Sequence, residues 1–140
     1  MAQRQPEGKI KDECRPKAVA NDLIFWQIEG KSRNGVPDTL CSTMSGRALL
    51  VEFKVPGKEP NEQQWLRIYE LRQAGIDAWW ADCVETWEIL VGLRPGKIEY
   101  VYPDKILALI ALGTTADTLP RMGDFLAGMK VKTPTRGRGA

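Results

Sequence analysis

The chain has 140 residues, a formal net charge of +2 and no histidine. That length supports one domain with a single core, and 43% hydrophobic with 27% charged residues is ordinary for a soluble globular protein. The lack of histidine excludes His-based acid–base chemistry and leaves too few soft ligands for zinc, so any metal would be held by oxygen, as Mg²⁺, Mn²⁺ and Ca²⁺ are.

The opening "MAQRQPEGKIKDECRPK" carries charges but no apolar core of a secretory signal. No apolar run approaches the ~20 residues that cross a bilayer, so a cytoplasmic location with no membrane partner is expected. Cys14, Cys41 and Cys83 are widely spaced with no CxxC, which predicts reduced thiols rather than a disulfide framework.

"PEGKIKDECRPKAVAND" reads as a first helix that begins near Glu7, and Pro16 argues against its running uninterrupted. Leu23 to Glu29 predicts a short apolar strand ended by Gly30, and "KSRNGVPD" a loop. "TLCSTM", a turn at Ser45-Gly46 and "RALLVEFKV" predict an antiparallel hairpin. Asn61 fits a helix N-cap, with Gln64 as capping-box partner, ahead of an amphipathic helix stopped at Gly75. "IDAWWADCV" follows as a strand and "ETWEILVGL" as a helix.

"GKIEYVY" predicts an extra strand and "PDKILALIALG" a helix. A further short helix is expected around Met122 to Met129, before the basic tail "KVKTPTRGRGA" with Lys130, Lys132, Arg136 and Arg138. Such a tail would add sequence-independent attraction to phosphate, or would simply be a solubilising end. No repeat is visible. The order of elements predicts an α/β domain over residues 1–113, a mixed central sheet flanked by helices, and an extension over 114–140.

The chemistry concentrates between Gly35 and Gln64. Strand alternation puts Glu52 and Lys54 on one face and Val51, Phe53 and Val55 on the other. The hairpin brings Asp38 near the same sheet. Carboxylates that share a site repel one another, and a divalent cation relieves the repulsion. Mg²⁺ takes one or two protein carboxylates and completes its shell with water and substrate phosphate. Lys54 would add a fixed positive charge, so the set suits phosphodiester hydrolysis without histidine.

Pro37-Asp38 followed by Glu52-Phe53-Lys54 resembles the PD-(D/E)xK nuclease signature. With "NGVPDT", "VEFKVPGKEPNEQQ" and "LRQAG", the stretch from about Glu7 to Val84 is similar to the VRR-NUC branch, in its compact stand-alone phage and bacterial form. The resemblance implies an αβββαβ restriction-endonuclease-like core and a Mg²⁺- or Mn²⁺-dependent DNA endonuclease. It also implies a homodimer acting on branched DNA such as Holliday junctions. Asp38 and Glu52 match the family's metal-binding carboxylates, Lys54 its catalytic lysine and Gln64 its helix glutamine, with Gln63 as competitor. Glu7, with Ile10, matches a first-helix carboxylate as a further metal ligand; Asp12 and Glu13 are rivals for that place.

Each assignment has a plainer alternative. Glu52 and Lys54 could form a structural ion pair, Asp38 a turn after Pro37, Gln64 a helix cap, and Glu7 a first-turn carboxylate on the helix dipole. Pro103-Asp104 repeats the PD pair with no ExK after it and reads as a helix start. Lys31, Arg33, Arg47 and Lys58 are candidate phosphate contacts, which would position DNA without reading sequence. Trp65, Trp79, Trp80 and Trp87 read as core or subunit-contact residues. A non-catalytic DNA-binding protein that retains the fold and a restriction-type nuclease on linear duplex are the rival functions.

Overall fold

The computed structural model describes residues 6–28 and 34–119. Eight elements follow in order: α1 (Pro6–Ala20), β1 (Phe25–Gln27), β2 (Thr39–Ser42), β3 (Ala48–Phe53), α2 (Glu62–Gln73), β4 (Ala78–Ala81), α3 (Val84–Val91) and α4 (Asp104–Ala111). The strands form one sheet in the order β1-β2-β3-β4. The first three pair antiparallel, and β4 joins β3 in parallel. Parallel neighbours need a crossover, and α2 supplies it. This is the expected mixed sheet and αβββαβ order, continued by α3 and α4.

Each face of the sheet buries its own set of side chains. Leu49, Val51 and Phe53 alternate along β3 into one core with Ile10 and Cys14 of α1 and Trp87 and Val91 of α3. Phe53 lies 5.7 Å from Phe25, which meets Trp87 edge-on at 5.8 Å. The opposite core joins Trp65 and Leu66 of α2 to Ile106 of α4 and Ala116. Trp79 packs toward the first core and Trp80 toward the second, as adjacent strand residues must. Residues beyond α4 belong to this layer: Gln63 donates to the Ala116 carbonyl at 3.0 Å, and the Ala116 amide donates to Glu70 at 2.8 Å.

Glu88 ties α3 to α1. Its carboxylate meets Lys17 at 3.2 Å and Arg94 at 2.8 Å. Arg94 above all, and Lys17 with it, hold the Glu88 carboxyl below its ordinary range against the opposing effect of burial. A carboxylate depressed in the folded state stabilises the fold above its unfolded pKa of about 4.3, and that contribution is lost as pH falls through the folded value. Glu88→Gln should therefore lower the melting temperature at pH 7, with the gap to the unmodified protein closing in acid. A gap independent of pH between 7 and 3 would contradict this.

Several local expectations need correction. Pro16 lies inside a continuous α1. The helix survives because Ile10, Cys14 and Ala18 are buried along one face, while Pro16 and Asp12 are exposed, where water can take up the carbonyl that proline leaves without a donor. β1 is shorter than Leu23 to Glu29, although Ser42 still bonds Ile24 and Ile28 still bonds Asp38 beyond its ends. The hairpin turn is centred one residue early, on Met44 and Ser45, with the Gly46 amide bonded to the Thr43 carbonyl at 3.0 Å and Gly46 at φ +86°. That is a three-residue loop closed by a left-handed glycine.

The extra strand over residues 96–102 is absent, since the segment is coil. Side chains hold it instead of a ladder. Tyr100 stacks on Trp79 at 4.4 Å and donates its hydroxyl to the Ala78 carbonyl, which also accepts from Arg72. The predicted helix at 122–129 and the basic tail lie outside the described residues. All three cysteines are free thiols; burial pushes Cys14 and Cys41 up to about 12, which makes them unreactive. Among the described residues no helix is long and apolar enough to cross a membrane.

Candidate active site

The end of the sheet where β3 finishes and β2 begins gathers Asp38, Glu52, Lys54 and Gln64. Thr39 pairs with Val51, so one further step of the antiparallel register sets Asp38 opposite Glu52. Glu52 pairs with Trp80 across the parallel side, and the Lys54 amide continues that ladder to the Ala81 carbonyl at 2.9 Å. Glu52 is only 7% exposed, so its charge requires partners.

Gln64 supplies one of them. Its amide nitrogen donates to Glu52 Oε2 at 3.1 Å, while its Oε1 accepts from Lys54 Nζ at 3.1 Å. The same Oε1 accepts from the Asn61 amide at 2.9 Å, and Asn61 Oδ1 accepts from the Gln64 amide at 2.8 Å. That is a complete capping box. Gln64 therefore has both roles that the sequence leaves open: it caps α2 and bridges the carboxylate to the ammonium. Gln63 is occupied elsewhere, on Ala116.

These two roles separate by mutation. Asn61→Ala removes the side-chain cap, which costs about 1 kcal/mol, but spares the Glu52–Gln64–Lys54 bridge. Gln64→Ala loses a comparable amount and also breaks that bridge. Urea denaturation should show similar losses for the two variants, and cleavage assays should show the larger defect for Gln64→Ala. Equal activity losses would assign Gln64 to the cap alone.

The loop before Asp38 is locked onto α2. Gly35 sits at φ +85°, and a Cβ there would come within 3.0 Å of the Gln63 carbonyl oxygen, so glycine is needed for both conformation and space. Arg67, buried in α2, donates to the Asn34 carbonyl at 3.0 Å while pairing with Glu70 and Asp117. Pro37 is fully buried. The Gly-Val-Pro-Asp run is thus a rigid bracket, and it delivers Asp38 to the start of β2.

Asp38 itself is held by a residue that the sequence reading did not single out. Lys11 of α1 donates to Asp38 Oδ2 at 2.6 Å, and the Thr39 hydroxyl donates to Oδ1 at 2.9 Å. Lys11 is 7% exposed. A buried lysine is rare unless paired, and its place one position after Ile10, beside the buried face of α1, is the signal that could have flagged it.

The other predicted residues are less central. Glu7 falls in the first turn of α1, one turn before Lys11. Asp12 faces solvent with a 3.5 Å contact to Arg15, and Glu13 lines a separate cavity with Lys17, Cys83 and Glu88. Lys58 is exposed in the loop after β3, where the Gly57 amide bonds Asp82 at 3.0 Å. Arg47 precedes the opposite end of β3 and pairs with Asp77, roughly 17 Å along the strand from Glu52. Lys31 and Arg33 lie outside the described residues.

Among the described residues no three His, Cys, Asp or Glu side chains form a ready-made metal cluster. Two carboxylates suffice for Mg²⁺ or Mn²⁺ when water and substrate oxygens complete the shell. Asp38 and Glu52 supply hard oxygen donors at neighbouring ladder positions, and the donor set fits such an ion.

A mixed sheet in the order αβββαβ, layered between helices, defines an α/β fold of the class that the sequence predicts. Within that class, the chain is similar in structure to a solved protein described as a VRR_NUC domain, with a TM-score of 0.56 and 19% sequence identity over 64% of this chain and 97% of that one. The likeness is one of fold, and it is the fold that the motif string implied. No protein-family model matches the chain, and no curated protein matches it at a significant level.

Proposed function

We propose that this protein is a divalent-metal-dependent DNA endonuclease, with Asp38 and Glu52 as metal ligands, Lys54 as the catalytic cation and Gln64 as the residue that orients it. The observation that carries this reading is the bridge in which Gln64 holds buried Glu52 and Lys54 together, 3.1 Å from each, at the same sheet end as Asp38. A structural ion pair would need no third residue between its charges. An ion held by the two carboxylates, Mg²⁺ or Mn²⁺, supplies Lewis-acid polarisation and an activated water.

The chain's own groups do the rest. The Gln64 carbonyl fixes Lys54 Nζ beside Glu52, where the ammonium offsets charge that builds on the phosphoryl oxygens. The Thr39 hydroxyl and the rigid loop from Gly35 orient Asp38. Lys58, Lys31 and Arg33 are proposed to steer the DNA backbone, with Glu7 as a further carboxylate. The proposed catalytic unit includes the segment after α4 that packs Ala116 against α2, and the basic tail that follows adds phosphate attraction.

Branched DNA is the proposed preferred substrate and a homodimer the proposed assembly, since two strands cut symmetrically need two sites about a two-fold axis. Linear duplex, single-stranded and four-way junction DNA, each incubated with Mg²⁺ or EDTA, separate the readings. Junction-selective, Mg²⁺-dependent cutting supports the proposal. Equal cutting of all three removes the branch preference, and binding without cutting favours a non-catalytic DNA-binding protein. Light scattering that gives only monomer with and without DNA would remove the dimer.

A further inference from the structure

The Lys11–Asp38 pair has a feature that a structural salt bridge does not require. Lys11 donates to the carboxylate that the metal would occupy, and at 2.6 Å it takes Oδ2, while Thr39 takes Oδ1. The lysine side chain is 8% exposed and that of Asp38 28%. Asp38 is thus held from the α1 layer, whereas Glu52 is held from the α2 layer by Gln64. A divalent ion held by Asp38 and Glu52 would have to share the Asp38 carboxylate with that ammonium.

We infer that Lys11 is a stand-in cation: it neutralises Asp38 in the metal-free protein, yields it when the ion binds, and then pairs with a phosphate of the bound DNA. This rests on the metal-dependent nuclease reading above. Electrostatics give the two halves opposite signs. Before the ion binds, the ammonium competes for the same oxygen, so Lys11 weakens metal affinity. After the ion binds, the displaced ammonium stands beside the site without its carboxylate. A buried cation needs an anion, and the incoming phosphodiester is the anion that the reaction brings. Lys11 then strengthens DNA binding through a charge-assisted contact.

The test uses the full chain and two readouts that do not depend on cleavage. Mn²⁺ affinity is measured by calorimetry, and DNA affinity by fluorescence anisotropy across a salt series with Ca²⁺ bound, an ion that takes the same oxygen ligands. Lys11→Met keeps most of the side-chain volume and should tighten Mn²⁺ binding by about 3- to 10-fold, while the slope of log affinity against log salt falls by about one. Lys11→Arg retains the charge and should stay near the parent in both, which separates loss of charge from disturbed folding. Lys17→Met removes the same charge from the same helix, where its partner is Glu88, and should change Mn²⁺ affinity by less than about 2-fold.

Mn²⁺ affinity equal in Lys11→Met and Lys17→Met would overturn the stand-in role, as would an unchanged salt slope for the DNA contact. If the parent binds Mn²⁺ no better than Asp38→Asn does, the metal site itself fails, and the nuclease reading falls with it. If Mn²⁺ binding requires Asp38 but is not tightened by Lys11→Met, only the present inference falls.

Discussion

Glu52→Gln should cut metal-dependent DNA cleavage by about 100- to 1,000-fold and leave the protein folded. The substitution keeps the shape of the side chain and removes one of two carboxylates proposed to hold the ion. Loss of one electrostatic group of this kind costs about 100- to 1,000-fold in turnover, and loss of the ligand should also weaken Mg²⁺ binding. Glu52 is 7% exposed, and glutamine keeps its volume and an oxygen that accepts from the Gln64 side-chain amide, so the packing around it is preserved. Activity and melting temperature should therefore move apart. If Glu52 and Lys54 were only a structural pair, the order would reverse: stability would fall and cleavage would persist. Lys54→Ala should show the same split, with a cleavage loss of about 100-fold.

The neighbouring residue should behave in the opposite way. Phe53 alternates to the other face of β3, is 0% exposed and stands against Phe25. Truncation to alanine removes most of a buried ring and leaves a cavity among Val51, Trp87 and the α1 face. Substitutions of this kind cost about 3–5 kcal/mol, much of the 5–15 kcal/mol that stabilises a small domain. Phe53→Ala should unfold at a far lower urea concentration, and whatever fraction stays folded should retain specific activity. A loss below about 1 kcal/mol would mean that this core repacks freely, and the two-sided account of β3 would fail.

Residues 52 and 53 also show what the sequence made legible. Period-two alternation in "ALLVEF" sorts the face that carries Glu52 from the one that carries Leu49, Val51 and Phe53, and the structure keeps that sorting. The capping box is equally local: Asn61 and Gln64 lie three apart, and their reciprocal bonds follow from that spacing. Even the hairpin turn was misplaced by a single residue, because a left-handed glycine can end a three-residue loop as well as occupy a two-residue one.

What escaped was long-range pairing. Lys11 meets Asp38 across 27 residues of sequence, and nothing in the α1 pattern names its partner. Arg67 reaches Asn34 across 33 residues, and the helix pattern gives no sign of that partner. The coil at 96–102 misled for a related reason: its aromatic residues suit a strand, but Tyr100 spends its hydroxyl on Ala78 and its ring on Trp79 rather than extending the ladder. Periodicity reports which face is buried. It does not report which distant group waits there.

The central claim is that Asp38, Glu52 and Lys54 form one hydrolytic site, and a single time course tests it most directly. End-labelled four-way junction DNA is mixed with the protein in EDTA, and excess Mg²⁺ is then added to the parent and to Asp38→Asn. Cleavage that starts only on addition of Mg²⁺ in the parent, and does not start in Asp38→Asn, is the predicted result. Cleavage already under way in EDTA, or at the same rate in both proteins after Mg²⁺, would contradict it.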